Sequence, residues 1–195
     1  MAPDPDAALM LAFQRGDEAS FRTLYERNAR AMVAFCHHLV RDAARAEELA
    51  QDVFVKLHAA RDRYQPTARF KTFLYRIASN HCLNELRRGE YAARARLAGE
   101  EPAEPDALAS GAATPEEAAR GAALERAVAG LLARLPEKQR AALVLCRFEG
   151  LSYEEIAAVL DTTVSAVKSL VHRATVAAAD ALRAFAPGSA EEVLP

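Results

Sequence analysis

Apolar residues recur every three or four positions through most of the first half of the chain, which is the spacing of one face of an α-helix. The pattern runs through residues 17–40, 47–64 and 70–88. No stretch alternates apolar and polar residues for long enough to predict a strand, and the abundance of alanine favours helix. Three helices with one shared core are therefore predicted. Their expected inward positions are Phe21, Leu24, Tyr25, Met32, Phe35, Cys36, Leu39, Leu49, Val53, Phe54, Leu57, Phe70, Phe73, Leu74, Ile77, Cys82 and Leu86.

The pattern of the second half predicts a helix-turn-helix. Residues 124–135 predict one helix, and residues 136–150 predict another, opened by proline and closed by glycine. The segment 152–155 has the sequence of a capping box, and Thr163 is a suitable N-cap for the last helix. The two short helices that meet at 161–162 would form the helix-turn-helix. Its expected inner seam is Ile156, Ala157, Leu160, Val167 and Leu170.

The two helical halves are separated by a segment with the composition of a linker. Residues 97–118 combine proline, glycine, alanine and acidic residues with no lasting apolar stripe. As a flexible coil, this segment would span roughly 26 Å. We therefore predict an all-α protein with two small helical domains, 9–96 and 119–184, joined by a flexible linker, and a frayed tail at 185–195.

Charge is distributed unevenly along this chain of 195 residues with a formal net charge of −2. Residues 61–96 contain 9 Lys/Arg and 3 Asp/Glu, whereas residues 97–118 contain no basic residue and 6 acidic ones. A nucleic acid would find positive charge only in the first of these segments.

Several function classes are not expected. The three cysteines are far apart and form no C-x-x-C pair, which favours a reducing cytoplasm over a disulfide framework. The first nine residues lack a basic region and the longest apolar run is seven residues, so neither a secretory signal nor insertion into a membrane is predicted. Cys36, His37 and His38 are adjacent, and adjacent helical side chains diverge by about 100°, so they cannot converge on a metal. No catalytic triad, carboxylate pair or phosphate-binding glycine loop is present, so neither an enzyme nor a cofactor is expected.

Aromatic and basic residues are interleaved in segment 70–88, beginning with Phe70, Lys71, Phe73, Tyr75 and Arg76. Single-stranded nucleic acids bind to aromatic side chains that stack on bases within a cationic groove. A helical aromatic stripe is also typical of a core, and periodicity places Phe73 on the inward face. The residues expected to face outward are Lys71, Thr72, Arg76, Asn80, Asn84, Arg87 and Arg88.

The chain resembles the bacterial sigma factors. Residues 135–174, LPEKQRAALVLCRFEGLSYEEIAAVLDTTVSAVKSLVHRA, are similar to sigma region four. Residues 46–88, AEELAQDVFVKLHAARDRYQPTARFKTFLYRIASNHCLNELRR, are similar to region two. Two such regions joined by a short linker are the arrangement of the extracytoplasmic-function (ECF) subclass. The resemblance covers residues 9–96 and 119–184.

The resemblance implies a cytoplasmic, non-enzymatic subunit that directs core RNA polymerase to promoters and helps to melt them. It implies that the outward residues of 70–88 contact the downstream promoter element, and that loop 64–69 lies where relatives capture a flipped base. It also implies polymerase partners: the clamp helices of the largest subunit and the flap. Docking on the clamp helices is assigned to Glu48, Gln51, Asp52 and Lys56, which otherwise form an ordinary solvated face. Contact with the upstream promoter element is assigned to Ser165, Lys168, Ser169, His172 and Arg173.

The resemblance further implies an anti-sigma factor as a partner and a path for the acidic linker through the RNA-exit region of polymerase. The sequence departs from the family pattern at Phe73, where relatives have Trp, and at Leu170 and Thr175, where they often have Arg. Because the last helix is poor in charge, a decoy that binds an anti-sigma factor without binding DNA stays open as an alternative. A stand-alone helix-turn-helix regulator is the second alternative.

Overall fold

The structure, a computed structural model, describes residues 4–96 and 115–182. The described residues form helices and no β-strand, so the predicted all-α class is confirmed. The helices are α1 (Pro5–Gln14), α2 (Glu18–Val40), α3 (Ala43–Ala59), α4 (Phe70–Arg96), α5 (Pro115–Arg134), α6 (Glu137–Arg147), α7 (Tyr153–Val159) and α8 (Val164–Leu182), with a 3-10 turn at Arg61–Arg63. The predicted linker lies outside the described residues except for 115–118, which are part of α5, and the predicted tail lies outside them entirely.

Aspartate side chains start the first three helices. Asp4, Asp17 and Asp42 each accept hydrogen bonds from backbone amides of the first turn, which would otherwise have no partner. The apolar pattern did not predict α1, although Asp4 followed by Pro5 is a helix-start signal. Asp4 also accepts a hydrogen bond of 2.7 Å from the amide of Phe70, and this bond ties the start of α1 to the start of α4.

Helices α1 to α4 share one core, as predicted for three of them. Its largest fully buried side chains include Met10, Phe13, Leu24, Met32, Phe35, Leu39, Leu49, Leu57, Phe70, Leu74 and Tyr75. The prediction was wrong for Tyr25, which is 44% exposed and makes an edge contact with the Phe54 ring. Phe73 and Ile77 were predicted inside but are only partly buried at the rim of the core.

The second bundle contains the predicted helix-turn-helix. Gly150 adopts φ +66° after α6, a conformation that glycine tolerates best, and Ser152 forms a complete capping box with Glu155 at the start of α7. Thr163 Oγ1 accepts a hydrogen bond of 3.1 Å from the Ala166 amide and so caps α8. Ile156, Ala157 and Val167 of the predicted seam are buried, whereas Leu160 and Leu170 are half-buried.

The two bundles pack against each other, which the sequence did not predict. Helix α4 contacts α6 and α7, and helix α2 contacts α5 and α6. The chain segments expected to act at separate sites are therefore joined by direct contacts in this structure.

Candidate nucleic-acid interface

An exposed polar stripe runs along α4. Arg76, Asn80, Asn84 and Arg87 follow one another at spacings of four, four and three residues, and all four are exposed. The guanidinium of Arg76 lies 5.6 Å from the centre of the Phe73 ring, within cation–π range. The stripe thus offers cations and amide groups next to an aromatic ring, the combination that holds unpaired bases.

The loop at 64–69 lies at one end of this stripe. Tyr64 is only 3% exposed, and its ring centre lies 5.1 Å from that of Phe73. Residues 65–69 are exposed, whereas the Tyr64 ring is held inside the first bundle. The loop therefore presents polar residues and proline rather than an aromatic ring.

Two residues predicted to face DNA contact the second bundle: Thr72 is covered by it, whereas the Lys71 side chain keeps 36% of its surface exposed. Thr72 is 4% exposed, and its hydroxyl lies 3.4 Å from Glu155 Oε1, so its predicted exposure is wrong for this structure. Lys71 Nζ donates a hydrogen bond of 2.6 Å to the carbonyl of Glu149 and lies 3.5 Å from its carboxylate. The physical reason is local: α7 and the turn before it pack on the first turns of α4.

Tyr75 completes this contact between the bundles. It is 1% exposed, and its hydroxyl donates a hydrogen bond to Glu149 Oε2. Burial of the ring, together with that hydrogen bond, raises the pKa of Tyr75, so the phenol stays protonated and acts as a donor. Lys71, Thr72 and Tyr75 are therefore in contact with polar groups of α7 and of the turn before it.

A cleft of about 330 Å³ separates the α4 stripe from α3. Within it, His81 Nε2 lies 3.0 Å from Asp52 Oδ2, and Arg88 lies 2.8 Å from Glu85. The pKa of Glu85 is lowered mainly by a hydrogen bond from Arg45 and to a smaller extent by one from Arg88. Arg88 is therefore exposed but already paired. The residues lining the cleft are Lys56, Ile77, Asn80, His81, Asn84, Glu85 and Arg88.

The predicted polymerase-docking stripe of α3 is exposed. Glu48, Gln51, Asp52 and Lys56 all point to solvent, and Val55 lies among them with 68% of its surface exposed. Val55 was not predicted as part of this face, although it follows Gln51 by four positions and Asp52 by three, the spacing of one helix face. A single exposed valine is common on protein surfaces, so Val55 by itself does not mark a binding site.

The outer face of α8 is exposed and carries little charge. All five residues assigned to it, Ser165, Lys168, Ser169, His172 and Arg173, are exposed. Val167, Val171 and Ala174 on the opposite face are buried and hold the helix against α7 and its neighbours. Arg173 Nε donates to the backbone carbonyl of Ser169 at 3.2 Å, so this cation lies along the helix.

Comparisons with known proteins identify both bundles. Residues 24–90 match the family Sigma-70 region 2, and residues 125–176 match Sigma-70, region 4. The RNA polymerase sigma-H factor of Pseudomonas aeruginosa is 33% identical over 186 residues, covering 94% of this chain and 96% of that protein. The ECF RNA polymerase sigma-E factor of Escherichia coli K12 is 31% identical over 174 residues, covering 87% of this chain and 90% of that protein. This chain belongs to the ECF family of RNA polymerase sigma factors.

Solved structures agree with this assignment. CnrH, in complex with the cytosolic domain of CnrY, has a TM-score of 0.68 and 27% identity, covering 94% of this chain and 100% of CnrH. The sigma factor RpoE of Bartonella quintana, in complex with the anti-sigma factor NepR, has a TM-score of 0.63 and 25% identity, covering 84% and 96% of the two chains. The ECF assignment makes this chain a non-enzymatic transcription initiation factor. Because residues 24–90 match region 2, the stand-alone regulator is no longer a viable alternative.

The described residues contain neither a metal-binding cluster nor a membrane-spanning helix. No group of three or more His, Cys, Asp or Glu side chains in this part of the chain is placed to hold a metal ion. No described helix combines the length and the apolar character that crossing a membrane would require.

Proposed function

We propose that this ECF sigma factor acts in the cytoplasm, where it binds core RNA polymerase, selects promoters through two DNA elements and helps to open the downstream one. The single observation that carries the proposal is the exposed stripe of Arg76, Asn80, Asn84 and Arg87 on α4, beside the Phe73 ring. The proposed domains are 9–96 and 119–184, with 97–118 as the linker and 185–195 as the tail.

The α4 stripe suits a strand whose bases have been unpaired. Stacking contributes about 1 to 3 kcal/mol per base, which is similar to the cost of unpairing one or two bases. Arg76 and Arg87 neutralise phosphates, whereas Asn80 and Asn84 offer donors and acceptors to base edges. Lys71 and Thr72 can contact DNA only when the second bundle has moved away from α4. Arg88 can contact DNA only when its ion pair with Glu85 is broken.

Docking on polymerase is proposed for the exposed face of α3. Glu48, Gln51, Asp52 and Lys56 surround Val55, so the face has a polar rim and an apolar centre. Such a layout is typical of protein interfaces, in which a desolvated centre contributes most of the free energy of binding. The clamp helices of the polymerase largest subunit are the proposed partner, and region four is proposed to contact the flap.

Upstream recognition is proposed for the exposed face of α8. Ser165, Lys168, Ser169, His172 and Arg173 would enter the major groove, where hydroxyl, imidazole and guanidinium groups can read base edges. Lys168 and Arg173 are its only Lys or Arg residues, so polymerase must supply much of the phosphate affinity. An anti-sigma partner is proposed from the solved complex of RpoE with NepR.

Reconstituted transcription tests the proposal. The full chain, mixed with core polymerase and a pool of bacterial promoter fragments, should yield defined transcripts, and permanganate should detect unpaired thymines near their start sites. Asn80→Ala and Arg76→Ala should each lower open-complex formation while leaving core binding unchanged. Arg30→Ala, at an exposed position of α2, is the matched control and should behave as wild type. Absence of any transcript or promoter binding, together with tight binding to an anti-sigma factor, would instead support the anti-sigma decoy.

A further inference from the structure

Both ends of loop 64–69 are held by side chains of α1. At the start of the loop, the side-chain amide of Gln14, the last residue of α1, donates a hydrogen bond of 3.2 Å to the carbonyl of Tyr64. At its end, Oδ2 of Asp4, the N-cap of α1, accepts a hydrogen bond of 2.7 Å from the amide of Phe70. One helix therefore carries both anchors of the loop, one at each of its own ends.

The Gln14 amide also fixes the turn that leads into the loop. Its Nε2 atom lies 2.9 Å from the carbonyl of Arg61 and 3.4 Å from that of Asp62, in addition to the Tyr64 carbonyl. The Arg61 guanidinium lies 5.5 Å from the centre of the Phe13 ring, so a second α1 side chain holds the same turn. Because a carboxamide nitrogen has two hydrogens, the three carbonyls share them and converge on one point of α1.

The Asp4 carboxylate serves two helices at once. Oδ1 accepts hydrogen bonds from the amides of Asp6 and Ala7 in the first turn of α1, at 3.1 and 3.3 Å. Oδ2 accepts from Phe70, the first residue of α4. A carboxylate has two acceptor oxygens, whereas the side chain of asparagine has one. Asp4 thus couples the position of α1 to the residue at which the loop becomes α4.

The loop between these anchors has little structure of its own. Residues 65–69 are exposed, and among the described residues they form one backbone hydrogen bond with each other, of 2.8 Å from Thr67 to Gln65. The loop also adjoins the α4 stripe, since the Tyr64 ring packs on Phe73, whose ring lies beside Arg76. An exposed segment with so few internal bonds takes its shape from its fixed ends.

We propose that Asp4 and Gln14 are positioning residues for promoter opening, which fix the geometry in which loop 64–69 meets a DNA strand on the α4 stripe. Neither side chain reaches the DNA, and each acts through a backbone group at one end of the loop. Selectivity for the bases nearest the loop therefore depends on α1, because displacement of a positioned group by about 1 Å is costly. This inference rests on the proposed function, since it assumes that the α4 stripe reads the downstream element.

Three variants of the full chain separate positioning from stability. Gln14→Ala removes the donor at the start of the loop. Asp4→Asn keeps an oxygen to cap α1, because asparagine caps helices as well as aspartate does, but leaves no second acceptor for the start of α4. The matched control is Asp6→Ala. Asp6 ties α1 to α2 through Arg27 at 2.9 Å and Asn28 at 3.3 Å, so its loss loosens α1 without breaking a bond to the loop.

The measurements use holoenzyme assembled from core polymerase and each variant. The template is a promoter found in the transcription experiment, together with its single-base variants in the downstream element. The ratio of open complexes formed on the original and substituted promoters gives the discrimination at each base position. 2-Aminopurine, placed at each position in turn, reports by fluorescence which bases unstack. Loss of folded protein lowers open complexes on all promoters alike, whereas a displaced loop changes the ratio at particular positions. Thermal melts and core-binding titrations complete the comparison.

Gln14→Ala and Asp4→Asn should each lower discrimination at one or two adjacent base positions by about threefold to tenfold, the effect of one lost hydrogen bond. The 2-aminopurine signal should fall at the same positions, with core binding unchanged. Asp6→Ala should lower Tm and leave discrimination unchanged. If Gln14→Ala does not fold, Asp4→Asn decides the outcome.

Two results would overturn the positioning role while the proposed function stands. One is wild-type discrimination in both Gln14→Ala and Asp4→Asn. The other is an equal loss of discrimination in Asp6→Ala, because the stability of α1 would then be the cause. A wild-type holoenzyme that shows neither discrimination nor unstacked bases in the downstream element would instead refute the proposed function itself.

Discussion

Replacing Arg140 by methionine should uncouple the two bundles and destabilise the chain. Methionine keeps an unbranched side chain of similar length but has no hydrogen-bond donor. The carbonyls of Leu39 and Leu135 would each lose the guanidinium as a partner within a buried contact. A buried polar group without a partner costs about 1 to 3 kcal/mol, so two such groups predict a loss of roughly 3 kcal/mol once partial access of water is allowed for. For a chain of this length, that loss corresponds to a decrease of about 6 to 12 °C in Tm.

Differential scanning calorimetry would measure this change. The wild-type chain should unfold in one transition, because the bundles stabilise each other, whereas Arg140→Met should show two transitions with the lower one displaced. Arg147→Met, at an exposed position of the same helix, is the matched control and should cost less than about 1 kcal/mol. A shift in Arg140→Met no larger than that of the control would refute the reasoning, because Arg140 would then contribute no more than a surface residue.

Three further predictions concern separate parts of the chain. The pKa of His38 is lowered mainly by burial and to a smaller extent by the charge of His37. The folded chain therefore binds fewer protons than the unfolded chain. Its stability should fall as the pH drops below about 6.5, the ordinary histidine pKa. Thermal melts between pH 5 and 8 should show this slope in wild type and a smaller one in His38→Gln. Val55→Asp should weaken binding to core polymerase by roughly tenfold or more in a titration, because burying a valine in an interface contributes about 1.5 to 3 kcal/mol. Tm should not fall, because Val55 is exposed in the free chain. Ser152→Ala should cost about 1 kcal/mol by removing the N-cap of α7, and an unchanged melt relative to the control Ser165→Ala would contradict that role.

Elements whose signals are local could be predicted from the sequence. The start of α2 at Asp17, the capping box at Ser152 and the cap at Thr163 each depend on side chains within three residues of the backbone groups that they satisfy. The spacing of apolar residues likewise located the core, because burial of one helix face repeats every 3.6 residues. Helix α1 also has a local start signal, Asp4 followed by Pro5, but its apolar pattern is too short to predict a helix.

The covered end of α4 could not be predicted in this way. The spacing of apolar residues predicted that Thr72 faces outward, because Thr72 is polar and lies between Phe70 and Phe73. In the structure, Thr72 is buried and its hydroxyl lies beside Glu155 of α7, and the hydroxyl of Tyr75, three residues later, donates to Glu149 in the turn before α7. Small polar residues suit such a contact, but the same residues also suit a solvated face. Only the position of the second bundle distinguishes the two cases, and no local pattern specifies it.

The limited charge of α8 and the covered end of α4 have the same physical consequence for the free chain. DNA affinity at moderate salt comes mainly from counterions released by phosphate contacts, with a slope of about −0.9 per contact. Lys168 and Arg173 allow two such contacts on α8, a slope near −2, whereas a protein that makes 6 to 10 contacts binds far more tightly. Lys71 is held by Glu149 and Arg88 by Glu85, so two of the cations in the described part of α4 are already paired. We therefore expect a chain with this distribution of charge to bind DNA weakly by itself and to depend on polymerase for the remaining affinity.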